Sequence, residues 1–215
     1  MLDYTEYNKE TNEEYISFFE DMLMRSFASL AEPSDNREVD VAYYHITATI
    51  NTKGMPWRES AYFTFNRFDI LYNQLCEGVL GRNNYRKIKA AYRPVAVAFL
   101  DVEGSKYANR QVPLINPHIH SVWAVHPFQV EKMDSAIRKI SNTSFTNRYQ
   151  IDEVDCGRLA SKDDLRRVLS YDSKYAKYHF DNSELERSYE VYPKVLKSAS
   201  RSLTLPRGGE GAAQA

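Results

Sequence analysis

Two apolar runs joined by a turn-rich connection constrain the fold of this chain more than any other feature. Val95–Glu103 (VAVAFLDVE) and Ile119–Val125 (IHSVWAV) are rich in β-branched and aromatic residues, which is typical of strands. Residues 104–117 contain glycine and proline, so we expect the two strands to pair antiparallel. Val41–Ile50 (VAYYHITATI) has the same strand-like composition, and we expect a fourth strand at Tyr149–Val154.

Segments with helical periodicity alternate with these strands. Apolar residues recur at intervals of three and four in residues 11–30, 62–80, 130–140 and 163–178. Gly81 is expected to end the second helix, and Ser161 is expected to cap the start of the fourth. The order of elements predicts an α+β fold with an antiparallel sheet and helices mostly on one face.

Composition excludes several classes of protein. Of the 215 residues, 43% are hydrophobic and 27% are charged, as in an ordinary globular domain. Cys76 and Cys156 are too few for a Cys-rich zinc site or a disulfide framework, so we expect a reducing, cytoplasmic location. The longest fully apolar stretch, Val95–Leu100, is far below the ~20 residues that span a bilayer, and the polar N-terminus is no signal peptide. We therefore expect no membrane partner.

Charge divides the chain unevenly. Residues 1–40 hold 11 acidic and 3 basic side chains, a net charge of −8, whereas the remainder carries +7. The net positive charge of residues 41–215 is compatible with an anionic partner such as nucleic acid. An ordinary solvated charged surface would give the same net charge. We expect three segments: an acidic N-terminal helix and linker at 1–40, a main domain at 41–205 and a disordered tail at 206–215.

A His-x-His sequence opens one of the paired strands. Because side chains alternate along a strand, His118 and His120 point to the same face and can hold one divalent metal. His126 has the same parity but lies about 20 Å further along an extended strand, too far to share that metal. The preceding strand ends in two carboxylates on one face, of which Glu103 is favoured by position as the third ligand over Asp101.

Tyrosines recur on the last predicted helix. Tyr171 and Tyr175 are four residues apart and share a face, Tyr178 lies close to it, and Lys174 is adjacent to both. A phenol is a poor nucleophile because its pKa is about 10, but a nearby ammonium or metal ion makes the phenolate more accessible. The same spacing also occurs in aromatic stripes that pack into a core.

Together these residues resemble the HUH (His–hydrophobic–His) endonucleases, which include rolling-circle replication initiators and related transposases. His118–His120 resembles the metal motif of the family, and Tyr171–Tyr175 resembles its two-tyrosine motif, Tyr-x-x-Lys-Tyr. His45–Thr49 resembles the first motif, and the three occur in the family's order. Phage-type members commonly have a lysine where this chain has Tyr178, so the lysine role falls on Lys174 or Lys177.

The resemblance implies a fold and a reaction. The fold would be a ferredoxin- or RRM-like palm with a central antiparallel sheet of about five strands. His118, His120 and Glu103 would hold Mg²⁺ or Mn²⁺, and Tyr171 or Tyr175 would attack DNA to form a 5′-phosphotyrosine. The substrate would be single-stranded or hairpin origin DNA of a plasmid or phage-like replicon. A host helicase and polymerase would complete replication, because no phosphate-binding motor motif is present.

A basic segment is the expected grip on DNA. Residues 82–93 contain no acid, and Tyr85 and Tyr92 interleave with the basic side chains, so phosphate contacts and base stacking are both possible. A solvated helix face is the simpler explanation. The candidate DNA-binding residues are Arg82, Arg86, Lys87, Lys89, Arg93 and, near the tyrosines, Lys177.

Three other functions fit parts of the pattern. A transposase would use the same chemistry on the same residues. A non-catalytic DNA-binding protein on this scaffold would need neither the imidazoles nor the phenols. A His-x-His metal hydrolase acting on small molecules would not need Tyr171 or Tyr175, and such enzymes usually spread more ligands along the chain.

Overall fold

The structure of the protein is a computed structural model that describes residues 4–30, 41–82, 92–103, 115–141, 148–173 and 189–194. The elements in this part of the chain are α1 (Tyr4–Leu30), β1 (Ala42–Ile50), α2 (Trp57–Leu80), β2 (Val95–Glu103), β3 (Ile115–Val125), α3 (Val130–Ile140), β4 (Ile151–Arg158), α4 (Lys162–Asp172) and β5 (Tyr189–Tyr192). A 3₁₀ turn, Pro127–Gln129, leads into α3. No helix in these ranges is long and apolar enough to cross a membrane.

The five strands form one antiparallel sheet in the order β4-β1-β3-β2-β5. From β1 to β4 the elements follow the β-α-β-β-α-β order of ferredoxin-like folds. β5 extends the sheet beside β2. The predicted α+β class, with a central antiparallel sheet of about five strands and flanking helices, is confirmed.

Helices cover both faces of this sheet, which corrects the expectation that they lie mostly on one. α2 and α3 pack on the face that carries Ala96, Ala98 and Leu100. α1 and α4 pack on the other face, which carries Val95, Val97 and Phe99. Because alternate residues of β2 are buried on opposite sides, the strand is a continuous apolar run rather than an alternating one.

Helix ends agree with the capping residues in the sequence. Gly81 follows α2 with a φ of 84°, a conformation that favours glycine. The Ser161 side chain accepts a hydrogen bond from the Asp164 backbone N–H at 3.1 Å, as expected of an N-cap. α3 forms at the predicted residues. α4 ends at Asp172 with Ser173 as its C-cap, and its predicted continuation over 174–178 lies outside the described residues.

Two strands have other bounds than predicted, and a third strand has no counterpart in the prediction. β3 begins four residues early and includes Pro117, which is tolerated because pairing with β1 ends at His118 and the β2 register shifts nearby. β4 extends to Arg158, beyond the predicted end at Val154. It is an edge strand, and its exposed polar residues obscure the period-two pattern from which the end would be predicted. β5 was not predicted, since four residues are too few to show a period.

The acidic N-terminal helix packs against the sheet. Phe19 of α1 is fully buried, and its ring lies edge-on to Phe99 of β2 with centroids 4.7 Å apart. Glu20 pairs with Lys162 and Arg166 of α4. α1 therefore contributes to the core that also contains α4. The expected linker at 31–40 and the expected disordered tail at 206–215 lie outside the described residues.

Candidate functional site

Strand register gathers the polar side chains on the sheet face that α4 covers. Asp101 of β2 pairs with His118 of β3, and His120 of β3 pairs with Thr47 of β1. His45 shares the face of Thr47, two residues earlier on β1. Three neighbouring strands thus bring one carboxylate, three imidazoles and one hydroxyl to a single patch.

Asp101, His118 and His120 form the first cluster in this patch. The two imidazole Nε2 atoms lie 3.1 Å apart, and the Asp101 Oδ2 lies 3.3 Å from His120 Nε2 and 3.7 Å from His118 Nε2. Adjacent ligands of an octahedral ion with bonds of ~2.1 Å lie about 3.0 Å apart, and two imidazoles with one carboxylate form a common facial set. The cluster could therefore hold a metal ion.

The sequence predicts the neighbouring carboxylate, Glu103, as the third ligand. The register between β2 and β3 shifts between Asp101 and Glu103, so that Glu103 pairs with Ile115. The Glu103 side chain lies outside the described part of the chain. Asp101, which is 1% exposed, is the carboxylate that the structure places against the histidines.

Asp172, the last residue of α4, forms a second cluster with His45 and His120. Its Oδ2 lies 3.2 Å from His45 Nε2, and its Oδ1 lies 3.8 Å from His120 Nδ1. The same Nδ1 is 3.0 Å from Thr47 Oγ1, and the rings of His45 and His120 stack with centroids 5.6 Å apart. Sequence reasoning missed Asp172, whose only signal was its position next to Tyr171.

The surroundings of His45 raise the pKa of its imidazole. Burial lowers the pKa of the His45 imidazole, but contact with Asp172 and the negative charges of Asp172 and Asp155 raise it by more. The net result is a pKa above the ordinary value for histidine. The Asp172 carboxyl group, which is the main cause of this rise, is fully buried.

Tyr171 projects from the end of α4 beside the first cluster. Its side chain is half exposed, and its ring centroid lies 5.6 Å from that of His120 in an edge-to-face arrangement. A core-packed aromatic stripe therefore does not describe Tyr171. Lys174, Tyr175, Lys177 and Tyr178 lie outside the described residues.

The basic segment lies elsewhere in the fold. Arg82 is exposed and pairs with Glu77 at 3.4 Å, immediately after α2. Arg93 precedes Val95, which starts β2 about 20 Å along the strand from Asp101. The structure does not bring these two arginines to the histidine cluster. The other four candidate DNA-binding residues, Arg86, Lys87, Lys89 and Lys177, lie outside the described residues.

The site combines a buried carboxylate, two converging imidazole nitrogens and an exposed phenol. This set can hold a cation and present an oxygen nucleophile on the same surface. Comparisons of the chain with protein-family models, with curated proteins and with solved structures found no match. Its chemistry is therefore argued from the geometry above.

Proposed function

We propose that the protein is a metal-dependent enzyme that nicks and rejoins single-stranded DNA through a covalent tyrosine intermediate. The observation that carries this proposal is the exposed Tyr171 phenol in ring contact with His120, whose Nε2 converges with the Nε2 of His118 and the Oδ2 of Asp101. A phosphodiester is a substrate that uses both features, because it is an anion to be held and an electrophile to be attacked.

Mg²⁺ or Mn²⁺ is the proposed cofactor. Asp101, His118 and His120 would hold it, and the two imidazoles favour Mn²⁺ over the more oxygen-selective Mg²⁺. When bound, the ion neutralises negative charge that develops on the phosphate in the transition state.

The reaction itself is a transesterification by tyrosine. The Tyr171 phenolic oxygen attacks phosphorus and forms a P–O bond as the bond from phosphorus to the 3′ oxygen breaks. The phenol loses its proton to solvent, and the leaving 3′ oxygen gains one to become a hydroxyl. The product is a 5′-phosphotyrosine, and attack by a 3′ hydroxyl in the reverse direction rejoins the strand. Tyr175, four residues further on, would serve as a second nucleophile.

A single strand or an extruded hairpin suits this site better than a regular duplex. The side chains of His118 and His120 are only 20% and 10% exposed, so the phosphate must approach the sheet closely. A flexible strand can bend to do so. The free 3′ hydroxyl can prime a polymerase, so initiation of rolling-circle replication on a plasmid or phage-like origin, with a host helicase, is the proposed role. Transposition uses the same chemistry.

A covalent adduct tests this proposal. The full chain is incubated with a labelled pool of random and hairpin-containing single strands, with Mn²⁺ or with EDTA, and is run on a denaturing gel. We expect an adduct only with Mn²⁺, mapped by mass spectrometry to the peptide containing residue 171, and its loss in a Tyr171→Phe/Tyr175→Phe double variant. Tyr62→Phe is the matched control, because Tyr62 is equally exposed but lies on α2. The absence of any adduct across the pool, or an adduct that survives EDTA or the double substitution, contradicts the proposal.

A further inference from the structure

Asp172 is a buried charge for which the proposed reaction has no role. It is fully buried at the end of α4, and neither carboxylate oxygen makes a hydrogen bond within the described residues. It lies between His45, whose Nε2 is 3.2 Å from Oδ2, and His120, whose Nδ1 is 3.8 Å from Oδ1. A buried carboxylate is costly unless it is compensated, and an apolar residue would fill the same space at lower cost. The position therefore points to a function for the charge.

The two nitrogens of His120 face different partners. Nε2 faces Asp101 and His118, whereas Nδ1 faces the Thr47 hydroxyl at 3.0 Å and the Asp172 carboxylate at 3.8 Å. When Nε2 binds a cation, Nδ1 carries the proton and needs an acceptor. Histidines that bind metals usually donate this second N–H to an oxygen, which fixes the tautomer and the ring orientation.

We infer that Asp172 is the positioning residue that couples the cation site to the nucleophile. Its carboxylate, 3.8 Å from Nδ1, together with the Thr47 hydroxyl at 3.0 Å, keeps the proton of His120 on Nδ1, so that Nε2 can bind the cation. Asp172 directly follows Tyr171 in the chain. Its position between His45 and His120 therefore fixes the end of α4 that carries the phenol. This inference rests on the proposed function. It gives one carboxylate two roles, to orient a cation ligand and to position the tyrosine.

Affinity for Mn²⁺ tests this role without DNA. Asp172→Asn keeps the size of the side chain and removes its charge. We expect the dissociation constant for Mn²⁺, measured by calorimetric titration, to rise about 10- to 100-fold, the range for residues that support metal ligands. We also expect adduct formation at saturating Mn²⁺ to remain slower than in the parent chain, because Tyr171 has lost its anchor. Asp163→Asn is the matched control, since Asp163 is exposed in the first turn of the same helix.

His45→Gln provides a second test in case Asp172→Asn fails to fold. It removes the partner that holds Asp172 from the opposite side, and we expect about a 10-fold weaker affinity for Mn²⁺, the lower end of the same range. Circular dichroism and the melting temperature establish that each variant is folded. A purely structural role would lower the melting temperature and leave the Mn²⁺ affinity of the folded protein unchanged.

Three outcomes separate this inference from the proposed function. Folded Asp172→Asn or His45→Gln with the parental Mn²⁺ affinity overturns the inference alone. A parent chain that binds Mn²⁺ but forms no adduct contradicts the proposed function, while the affinities still decide whether Asp172 supports the ligands. Binding of two Mn²⁺ per chain would make Asp172 a ligand of a second ion and would overturn its positioning role.

Discussion

At the scale of single residues, each buried carboxyl group of the site lies against two imidazoles. Asp101 is 1% exposed and lies against His118 and His120, while Asp172 is fully buried and lies against His45 and His120. At either position, an isolated carboxylate would lower the free energy of unfolding by roughly several kcal/mol, because burial removes its hydration. Both acids therefore depend on the imidazoles or on a cation, so these side chains affect the stability of the folded state as well as the proposed chemistry.

Asp101→Asn tests which carboxylate completes the cation site. Because the substitution removes the charged ligand, we expect the affinity for Mn²⁺ to fall by more than about 100-fold, beyond the range for supporting residues. Calorimetric titration of the folded variant measures this change. Glu103→Gln is the comparison, and we expect it to keep an affinity close to that of the parent chain, since the register places it opposite Ile115. The reverse result would assign the ligand role to Glu103.

Part of this site is predictable from local sequence and part is not. The shared direction of His118 and His120 follows from strand alternation alone. The choice of Asp101 over Glu103 depends on a register shift between β2 and β3, which no local pattern reveals. The contact of Asp172 with His45 depends on how α4 packs across the sheet. The residues next to Asp172 in the sequence do not specify this packing.

At the scale of elements, α4 is held at both ends. Its 11 residues are too few to form a stable helix alone in water, so packing determines where it lies. Leu165 and Leu169 are fully buried against the sheet and α1. Near the N-terminal end, Lys162 and Arg166 pair with Glu20 of α1, and at the C-terminal end Asp172 reaches His45. The acidic helix therefore helps to position Tyr171.

Glu20→Gln tests the connection between α1 and α4. Glu20 is 7% exposed and pairs with two cations, so we expect its replacement to lower the free energy of unfolding by about 1–3 kcal/mol, after allowing for the partial exposure of Arg166. Glu13→Gln is the matched control. The Glu13 side chain is 55% exposed where it pairs with Arg166, so its loss should lower the free energy of unfolding by less than about 1 kcal/mol. Urea denaturation measures both, and equal effects would contradict the proposed connection.

Helices and long strands are the elements that the sequence predicts well. Gly81 and Ser161 mark the end of α2 and the start of α4, whereas α1 and α2 begin seven and five residues before the predicted positions 11 and 62. β5 has only four residues, and Pro117 disguises the start of β3, so neither has a clear local pattern. The second layer of helices could not be predicted either, because the apolar runs of the central strands do not indicate which helix covers which face of the sheet.

At the scale of the whole molecule, topology assembles the site. The β-α-β-β-α-β order places β1 next to β3 and β3 next to β2 in the centre of the sheet. This arrangement brings His45, His120 and Asp101 together from positions up to 75 residues apart in the chain. α4 then crosses the same face and adds Asp172 and Tyr171. The order of elements predicts the fold class. The fold then places side chains from separate sequence motifs side by side on one face of the sheet.

The central claim is that a divalent cation at Asp101, His118 and His120 lies beside the Tyr171 phenol. The most direct test uses the chain labelled with 3-fluorotyrosine, with ¹⁹F spectra recorded as Mn²⁺ is added and the Tyr171 line identified by its absence in Tyr171→Phe. Paramagnetic broadening decreases with the sixth power of distance, so we predict that the Tyr171 line disappears at saturating Mn²⁺, while that of Tyr62, on α2 across the sheet, stays sharp. The broadening of Tyr171 should also vanish in a His118→Ala/His120→Ala variant. A Tyr171 line that remains sharp with the protein saturated in Mn²⁺ would contradict the account.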